Sequence, residues 1–187
     1  MESKSSLGDL VRMYNEMMQT VVRGEGQKVR KFFGEQVRTL KHDDVEQDII
    51  SYIKENLKTK QWNNAPEWIG SILYHPSSKY IDYLLKILNE PNPTAPYYWA
   101  LDVIQYMPET ISELALPELK KLADHINQNW SESVIEKYFE TIVWNDENAE
   151  DFISTLVDSS NEKIAYRAKY WMETFEVERK EDEEDND

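Results

Sequence analysis

The chain has 187 residues, of which 40% are hydrophobic and 12% aromatic, a composition typical of a folded protein rather than an intrinsically disordered one. It contains no cysteine, which excludes disulfides and thiolate chemistry. No apolar run approaches the length of a membrane span, and the first residues lack a basic segment followed by an apolar one. We therefore expect a cytoplasmic protein without membrane contact.

Charge is distributed unevenly along the chain, whose formal net charge is -15. Residues 1–60 carry 11 basic and 10 acidic side chains, whereas the remainder carries 10 basic and 26 acidic ones. Such an acidic body repels phosphate backbones, so we expect no direct binding of nucleic acid. The acidity favours a basic protein partner, or else it only keeps the protein in solution.

The first two predicted helices form a hairpin at residues 1–41. Ser5 or Ser6 can cap the first helix, and the glycines at positions 24 and 26 end it. The outer face of the second helix is basic, which predicts either a solvated face or a small nucleic-acid patch. The solvated face is favoured because no aromatic side chains alternate with the basic ones. The basic residues are Lys28, Arg30, Lys31, Arg38 and Lys41.

Asp43 or Asp44 is predicted to cap a third helix, which ends before the polar linker of residues 58–64. The helix that follows opens with Ala-Pro and carries Gly70 at a position where later segments have Ala100 and Ala168. A small residue repeated at this position predicts a close approach of two helix axes.

Residues 80–108 read as two amphipathic helices joined by a turn with two prolines. The pattern recurs downstream, because a single offset aligns the apolar positions of both helices. Leu84, Leu85 and Leu88 align with Phe152, Ile153 and Leu156, and Ala100, Ile104 and Met107 align with Ala168, Met172 and Phe175. The two segments are therefore interpreted as copies of one repeat unit.

Between these copies, residues 116–126 and 131–144 predict a further helix pair with a longer connection. The last pair is predicted to run from Ala149 to about Val177. Residues 178–187 are almost entirely acidic and predict a disordered tail. The chain is thus expected to form one domain over residues 1–177, with residues 1–41 as a capping hairpin.

Residues 45–175 resemble the HEAT-like family of helical repeats, most clearly in the units that begin at Tyr80 and Ala149. The last unit also has Asp158 in its inter-helix turn and Arg167 early in its second helix, as this family does. The resemblance implies an all-α fold, namely a right-handed α-solenoid of about five antiparallel helical hairpins. It implies a curved binding scaffold and no particular reaction.

The sequence contains few residues in arrangements that are typical of catalytic sites. The three histidines are far apart in the sequence, and no phosphate-binding loop, dinucleotide motif or nucleophile elbow occurs. His42, Asp43 and Asp44 could hold a metal ion, but consecutive residues at a helix start are more typical of a cap. We therefore predict a protein that is not an enzyme and has no cofactor. A repair or lyase enzyme on this scaffold is the remaining catalytic alternative.

The resemblance implies that the second helices of successive pairs line the concave side of the scaffold. With the apolar positions buried, tyrosines and carboxylates form a stripe on another face of these helices. This stripe is the predicted partner-binding surface, because tyrosine rings supply rigid contact area and carboxylates pair with lysine or arginine. Its residues are Tyr98, Asp102, Gln105, Glu136, Glu140, Tyr166, Tyr170 and Glu173. Alternatively, the tyrosines complete the core and the acids only face water.

Two hypotheses follow for the function. The first is an immunity protein, or antitoxin-like inhibitor, that covers a basic partner such as a nuclease toxin with an acidic concave surface. The second is an adaptor or assembly scaffold that holds a peptide or a subunit in its groove, with the basic second helix contacting another subunit. Either protein is expected to be a monomer or a weak homodimer.

Overall fold

The computed structural model describes residues 5–184, and side chains as far as Glu181. The all-α prediction is confirmed for this part of the chain, which contains no strand. Short 3-10 turns extend or connect several of the helices. The helices are α1 Leu7–Thr20, α2 Gly26–Arg38, α3 His42–Thr59, α4 Ala65–Gly70, α5 Ile81–Leu88, α6 Tyr97–Tyr106, α7 Glu109–Ser112, α8 Leu116–Leu122, α9 Glu132–Asn145, α10 Ala149–Ser154 and α11 Glu162–Glu184.

The N-terminal hairpin begins with the predicted serine cap. The Ser6 hydroxyl accepts a hydrogen bond from the Asp9 backbone N–H, and the Asp9 carboxylate accepts one from the Ser6 backbone N–H. This capping box satisfies two of the amide groups that a helix start leaves without partners. Helix α1 packs against α2. The five basic residues of the second helix and its end are exposed, which both interpretations of this face allow, and Phe32 of the same helix is exposed as well.

Helix α3 begins two to three residues earlier than predicted. Its N-cap is Lys41, so that Asp43 and Asp44 lie in the first turn rather than at the cap. Their carboxylates there face the positive end of the helix dipole, which favours the same residue types as a cap does. The helix ends at Thr59, and its C-cap Lys60 adopts the left-handed conformation with φ of 60° and pairs with Glu90 at 2.6 Å.

The expected close approach at Gly70 is wrong, and a close approach occurs at Gly34 instead. A Cβ added at Gly70 would meet no atom within 4 Å, whereas one at Gly34 would lie 2.5 Å from the hydroxyl of Tyr74. Glycine at position 34 therefore lets α2 approach the 3-10 turn Ser71–Tyr74. Ala100 and Ala168, by contrast, are fully buried.

In the central unit, α5 packs against α6, and five of the six predicted apolar positions are in the core, while Leu85 is partly buried against it. Leu84, Leu88, Ala100 and Ile104 have no exposed surface. The carbonyl groups at the C-terminal end of α5 receive their hydrogen bonds from the longer connection of the next pair. Asn127 donates to the Glu90 carbonyl at 2.8 Å, and the indole N–H of Trp130 donates to the Leu88 carbonyl at 3.3 Å. The longer connection thus caps the C-terminal end of α5.

Helices α4, α6, α9 and α11 contact one another in succession, α4 with α6, α6 with α9, and α9 with α11. Each is the second helix of a predicted pair. The short helix α7, which the sequence analysis did not anticipate, connects this row to α8 after Pro108. The succession matters for function because it brings the exposed faces of α6, α9 and α11 next to each other.

Helix α11 continues beyond the predicted start of a disordered tail. Residues 178–184 belong to this helix, and residues 185–187 lie outside the described part of the chain. Glutamate, lysine and arginine favour helices, and Arg179 ties the segment to α10 through Glu150 at 3.0 Å. Between residues 5 and 184, no helix combines the length and the apolar character needed to cross a membrane.

Candidate protein-binding surface

One face of α6 presents two tyrosines on either side of a carboxylate. Tyr98, Asp102 and Tyr106 are spaced four residues apart and therefore share a face of the helix. Both tyrosine side chains are exposed, although the opposite face of α6 is buried through Ala100 and Ile104. The face is thus held in place by the core and open to solvent at its aromatic rings.

Lys137 on α9 inserts into this face of α6. Although it is only 4% exposed, its Nζ lies 2.6 Å from the Asp102 carboxylate. The same ammonium group lies 5.4 Å from the ring centre of Tyr98 and 5.1 Å from that of Tyr106. These distances are within the range of cation–π attraction. The lysine therefore joins α6 to α9 through one ion pair and two aromatic contacts.

The environment of Lys137 keeps it charged. Burial by itself lowers the pKa of this lysine, because a low-polarity surrounding disfavours the ammonium form. The hydrogen bond and the charge of Asp102 outweigh burial, so the pKa lies above its ordinary value of 10.5. The carboxylate of Asp102 is therefore engaged by a permanent internal cation.

A second, more exposed cluster joins α9 to α11. Arg167 on α11 lies 3.1 Å from the Glu136 carboxylate on α9, and its guanidinium lies 5.3 Å from the ring centre of Tyr170. Glu136 precedes Glu140 by one helical turn, and Glu140 lies 3.7 Å from Lys137. Because residues 136 and 137 are adjacent on α9, the two clusters form one surface from α6 across α9 to α11.

The structure brings five of the eight predicted residues into this continuous surface, namely Tyr98, Asp102, Glu136, Glu140 and Tyr170. Two others, Tyr166 and Glu173, are exposed on α11 one helical turn from Tyr170. The prediction for Gln105 is wrong, because this side chain is only 5% exposed and belongs to the interior. Its Oε1 is buried without a hydrogen-bond partner on α6, a helix that contacts α4, α5 and α9.

Two aromatic residues of the surface were missed by the sequence analysis. Trp144 is 66% exposed, and its ring packs edge-on against Tyr106 with 5.7 Å between ring centres. Helical spacing could have identified both, since Tyr106 follows Asp102 by four residues and Trp144 follows Glu140 by four. Lys137 carries no such signal, because nothing in its own helix indicates that a neighbouring helix supplies a carboxylate.

Exposed aromatic side chains are concentrated on these three helices. Among the described residues, six of the seven exposed aromatics lie on α6, α9 or α11, and Phe32 on α2 is the other. The six are Tyr98, Trp99, Tyr106, Trp144, Tyr166 and Tyr170. A concentration of exposed aromatic surface among polar residues is typical of an interaction site.

The three helices are also acidic, with twelve acidic and six basic residues in their sequences. Two of the basic residues, Lys137 and Arg167, neutralise carboxylates of the surface itself. Glu140 shares Lys137 with Asp102, and its side chain is 41% exposed. Glu140 and Glu173 are therefore the carboxylates of the predicted stripe that are most available to an external cation.

The metal alternative receives no support from the described residues, among which no group of three potential metal-binding side chains occurs. His42 and His75 are nevertheless close in space, with 5.7 Å between ring centres. His75 is buried and contacts the Val37 carbonyl through Nε2 at 2.9 Å, while His42 lies 3.8 Å from Glu46. His75 thus contacts α2, whereas the Glu46 contact of His42 lies within α3.

Comparison of the chain with known protein families, with curated proteins and with solved structures found no match.

Proposed function

We propose that this protein is a non-enzymatic binding module that receives a basic protein partner on the exposed aromatic and acidic surface of α6, α9 and α11. In its most specific form, the proposal is an immunity protein or inhibitor that covers a basic toxin such as a nuclease. The row of second helices is proposed to line the concave side of a right-handed α-solenoid of five helical hairpins.

The observation that carries the proposal is the concentration of exposed tyrosine and tryptophan on three consecutively packed helices. Exposing these rings has a cost that a partner would remove, because burial of apolar area is favourable by about 25 cal/mol per Å². Tyrosine and tryptophan are also the residues that contribute most to binding energy at protein interfaces.

The charge of the surface indicates the kind of partner. The excess of carboxylates on these helices attracts a basic protein from a distance and repels an acidic one. The internal pairs of Lys137 and Arg167 hold part of this acidity in fixed positions. The remaining exposed carboxylates would pair with lysine or arginine side chains at the rim of the interface.

Affinity capture from a lysate of the native host tests this proposal. The full-length protein is compared with the double variant Glu140→Lys/Glu173→Lys and with a control, Glu16→Lys/Glu55→Lys. Both variants change the net charge equally, but the control residues are exposed on α1 and α3, away from the surface. Asp102 is left unchanged because it is needed by Lys137.

We expect the unmodified protein and the control to retain the same basic protein, identified by mass spectrometry, and the surface variant to lose it. The captured protein is then purified, and stoichiometric addition of the unmodified chain is expected to inhibit its activity. Equal loss of capture in both variants would mean that only the total charge matters, and the proposal would be abandoned.

The adaptor alternative is favoured by the basic face of α2, which is exposed and includes Phe32 beside Lys28 and Lys31. The dependence of association on ionic strength distinguishes the two functions. Capture of a basic toxin should slow steeply as salt rises from low to physiological concentration, whereas binding of a largely apolar peptide should not.

A further inference from the structure

Trp144 lies close to several carboxylates of the surface. Glu140 precedes it by one helical turn on α9. On its other side, Trp144 borders a shallow cleft that is also lined by Glu109, Asp146 and Glu147. Asp146 is paired with Lys120 at 2.6 Å. Glu109 and Glu147 are exposed, and no basic side chain is among the described residues that line the cleft.

The molecule uses one combination of groups twice on this surface, namely a tyrosine ring, a carboxylate and a cation. At Tyr98 and Asp102 the cation is the buried Lys137. At Tyr170 and Glu136 the cation is Arg167, and this carboxylate is more exposed than Asp102. The tyrosines are exposed at both sites, so within this protein the arginine accompanies the more solvated carboxylate.

Trp144 and Glu140 supply the ring and the carboxylate of a third such combination. Tyr106 supports it by packing against Trp144 in a T-shaped arrangement, and most of the indole remains exposed one helical turn from the Glu140 carboxylate. Indole is the aromatic group that attracts cations most strongly. Arginine suits such a site better than lysine, since its planar guanidinium is less hydrated, stacks on aromatic faces and pairs with carboxylates at the same time.

From these observations we infer that Trp144 and Glu140 form the subsite for an arginine side chain of the partner. The inference rests on the proposed function and adds to it the identity of the residue recognised. Glu109 and Glu147 line the same cleft as Trp144 and favour a second basic residue next to this arginine. The expected partner therefore presents an arginine-rich surface rather than a lysine-rich one.

The test uses the full-length protein labelled with 5-fluorotryptophan and observed by fluorine NMR. Its six tryptophans report separately, and the variant Trp144→Phe identifies the resonance of Trp144. The probes are the blocked peptides acetyl-(Gly-Arg)3-amide and acetyl-(Gly-Lys)3-amide. The five other tryptophan resonances serve as internal controls for the fold and for non-specific binding.

We expect the arginine peptide to shift the Trp144 resonance saturably, and the lysine peptide to bind about 2- to 5-fold more weakly. The variant Glu140→Gln should weaken binding of the arginine peptide by about 2- to 5-fold, whereas the matched control Glu55→Gln should leave it unchanged. The comparison of the two peptides on the unmodified protein is valid even if a variant fails to fold.

Equal shifts with both peptides, or a shift at another tryptophan with none at Trp144, would overturn the inference. This outcome is distinguishable from failure of the proposed function. Suppose that capture of a basic protein still depends on Glu140 and Glu173 while the peptides do not distinguish arginine from lysine. The proposed binding module is then retained and the arginine subsite is rejected.

Discussion

Lys137–Asp102 and Arg167–Glu136 are two ion pairs of one surface, each with tyrosine beside the cation, yet their surroundings differ. Lys137 is almost completely buried, and Asp102 retains 22% of its side-chain exposure. Arg167 lies nearer to solvent, and about half of the Glu136 side chain is exposed. Burial determines how strongly the two charges of such a pair depend on each other, because charges shielded from water interact far more strongly than charges in water.

This difference in burial distinguishes a pair that holds two helices together from a pair that is free to take part in binding, although both lie on one surface. The buried pair joins α6 to α9, and its carboxylate cannot be exchanged for a partner's cation without stranding a lysine in the interior. The more exposed pair is expected to contribute less to stability, and its half-exposed carboxylate can rearrange when a partner approaches. Mutations of different acidic residues on this surface are therefore expected to have different effects.

The largest effect is expected for Asp102→Asn. This change leaves the buried ammonium of Lys137 without its closest carboxylate, and Glu140 at 3.7 Å compensates only in part. We expect a loss of about 3 kcal/mol in the free energy of unfolding, measured by urea denaturation. A change no larger than that of Glu136→Gln would show that the two pairs are equivalent, contrary to the comparison.

Replacing the cation should have a smaller effect than replacing the carboxylate. Lys137→Met leaves Asp102 partly exposed, so that water can solvate it, and the expected loss is about 1 to 2 kcal/mol. The double variant Asp102→Asn/Lys137→Met contains no stranded charge and should lie within about 1 kcal/mol of the unmodified protein. Additive losses in the double variant would contradict the coupling.

The pH dependence of stability provides a measure of the buried pair without disrupting it. The pKa of Lys137 is higher in the folded protein than its ordinary value of 10.5. Its contribution is therefore fully present below pH 10.5 and is lost as the pH rises through the folded-state pKa. The stability difference between the unmodified protein and Lys137→Met should thus shrink in this alkaline range. A difference that stays constant there would contradict the shift.

The smallest effect is expected for Glu136→Gln, which removes the exposed partner of Arg167. The expected loss is below about 1 kcal/mol, and it should diminish further at high salt because exposed charges are screened. Urea denaturation at low and high ionic strength measures both. A large loss that is insensitive to salt would mean that this pair, too, is structural.

Much of the surface could be predicted from helical spacing alone. The apolar positions of α6 and α9 identify their buried faces, and the remaining positions include Tyr98, Glu136 and Glu140. The same spacing extends to Tyr106 and Trp144. Helical spacing wrongly placed Gln105 on the exposed face, because the boundary between the buried and the exposed face of a helix depends on how far neighbouring helices cover that helix.

The sequence by itself determined the helical fold class, the apolar faces, the serine cap of α1 and the acidity of the later helices, since all of these depend on residues within one or two helical turns of each other. Only the tertiary structure decided that Lys137 engages Asp102, that Arg167 engages Glu136, and that Gly34 rather than Gly70 makes a close approach. These contacts join different helices, so they depend on the register and rotation with which the helices pack. Periodicity within a single helix carries no information about either.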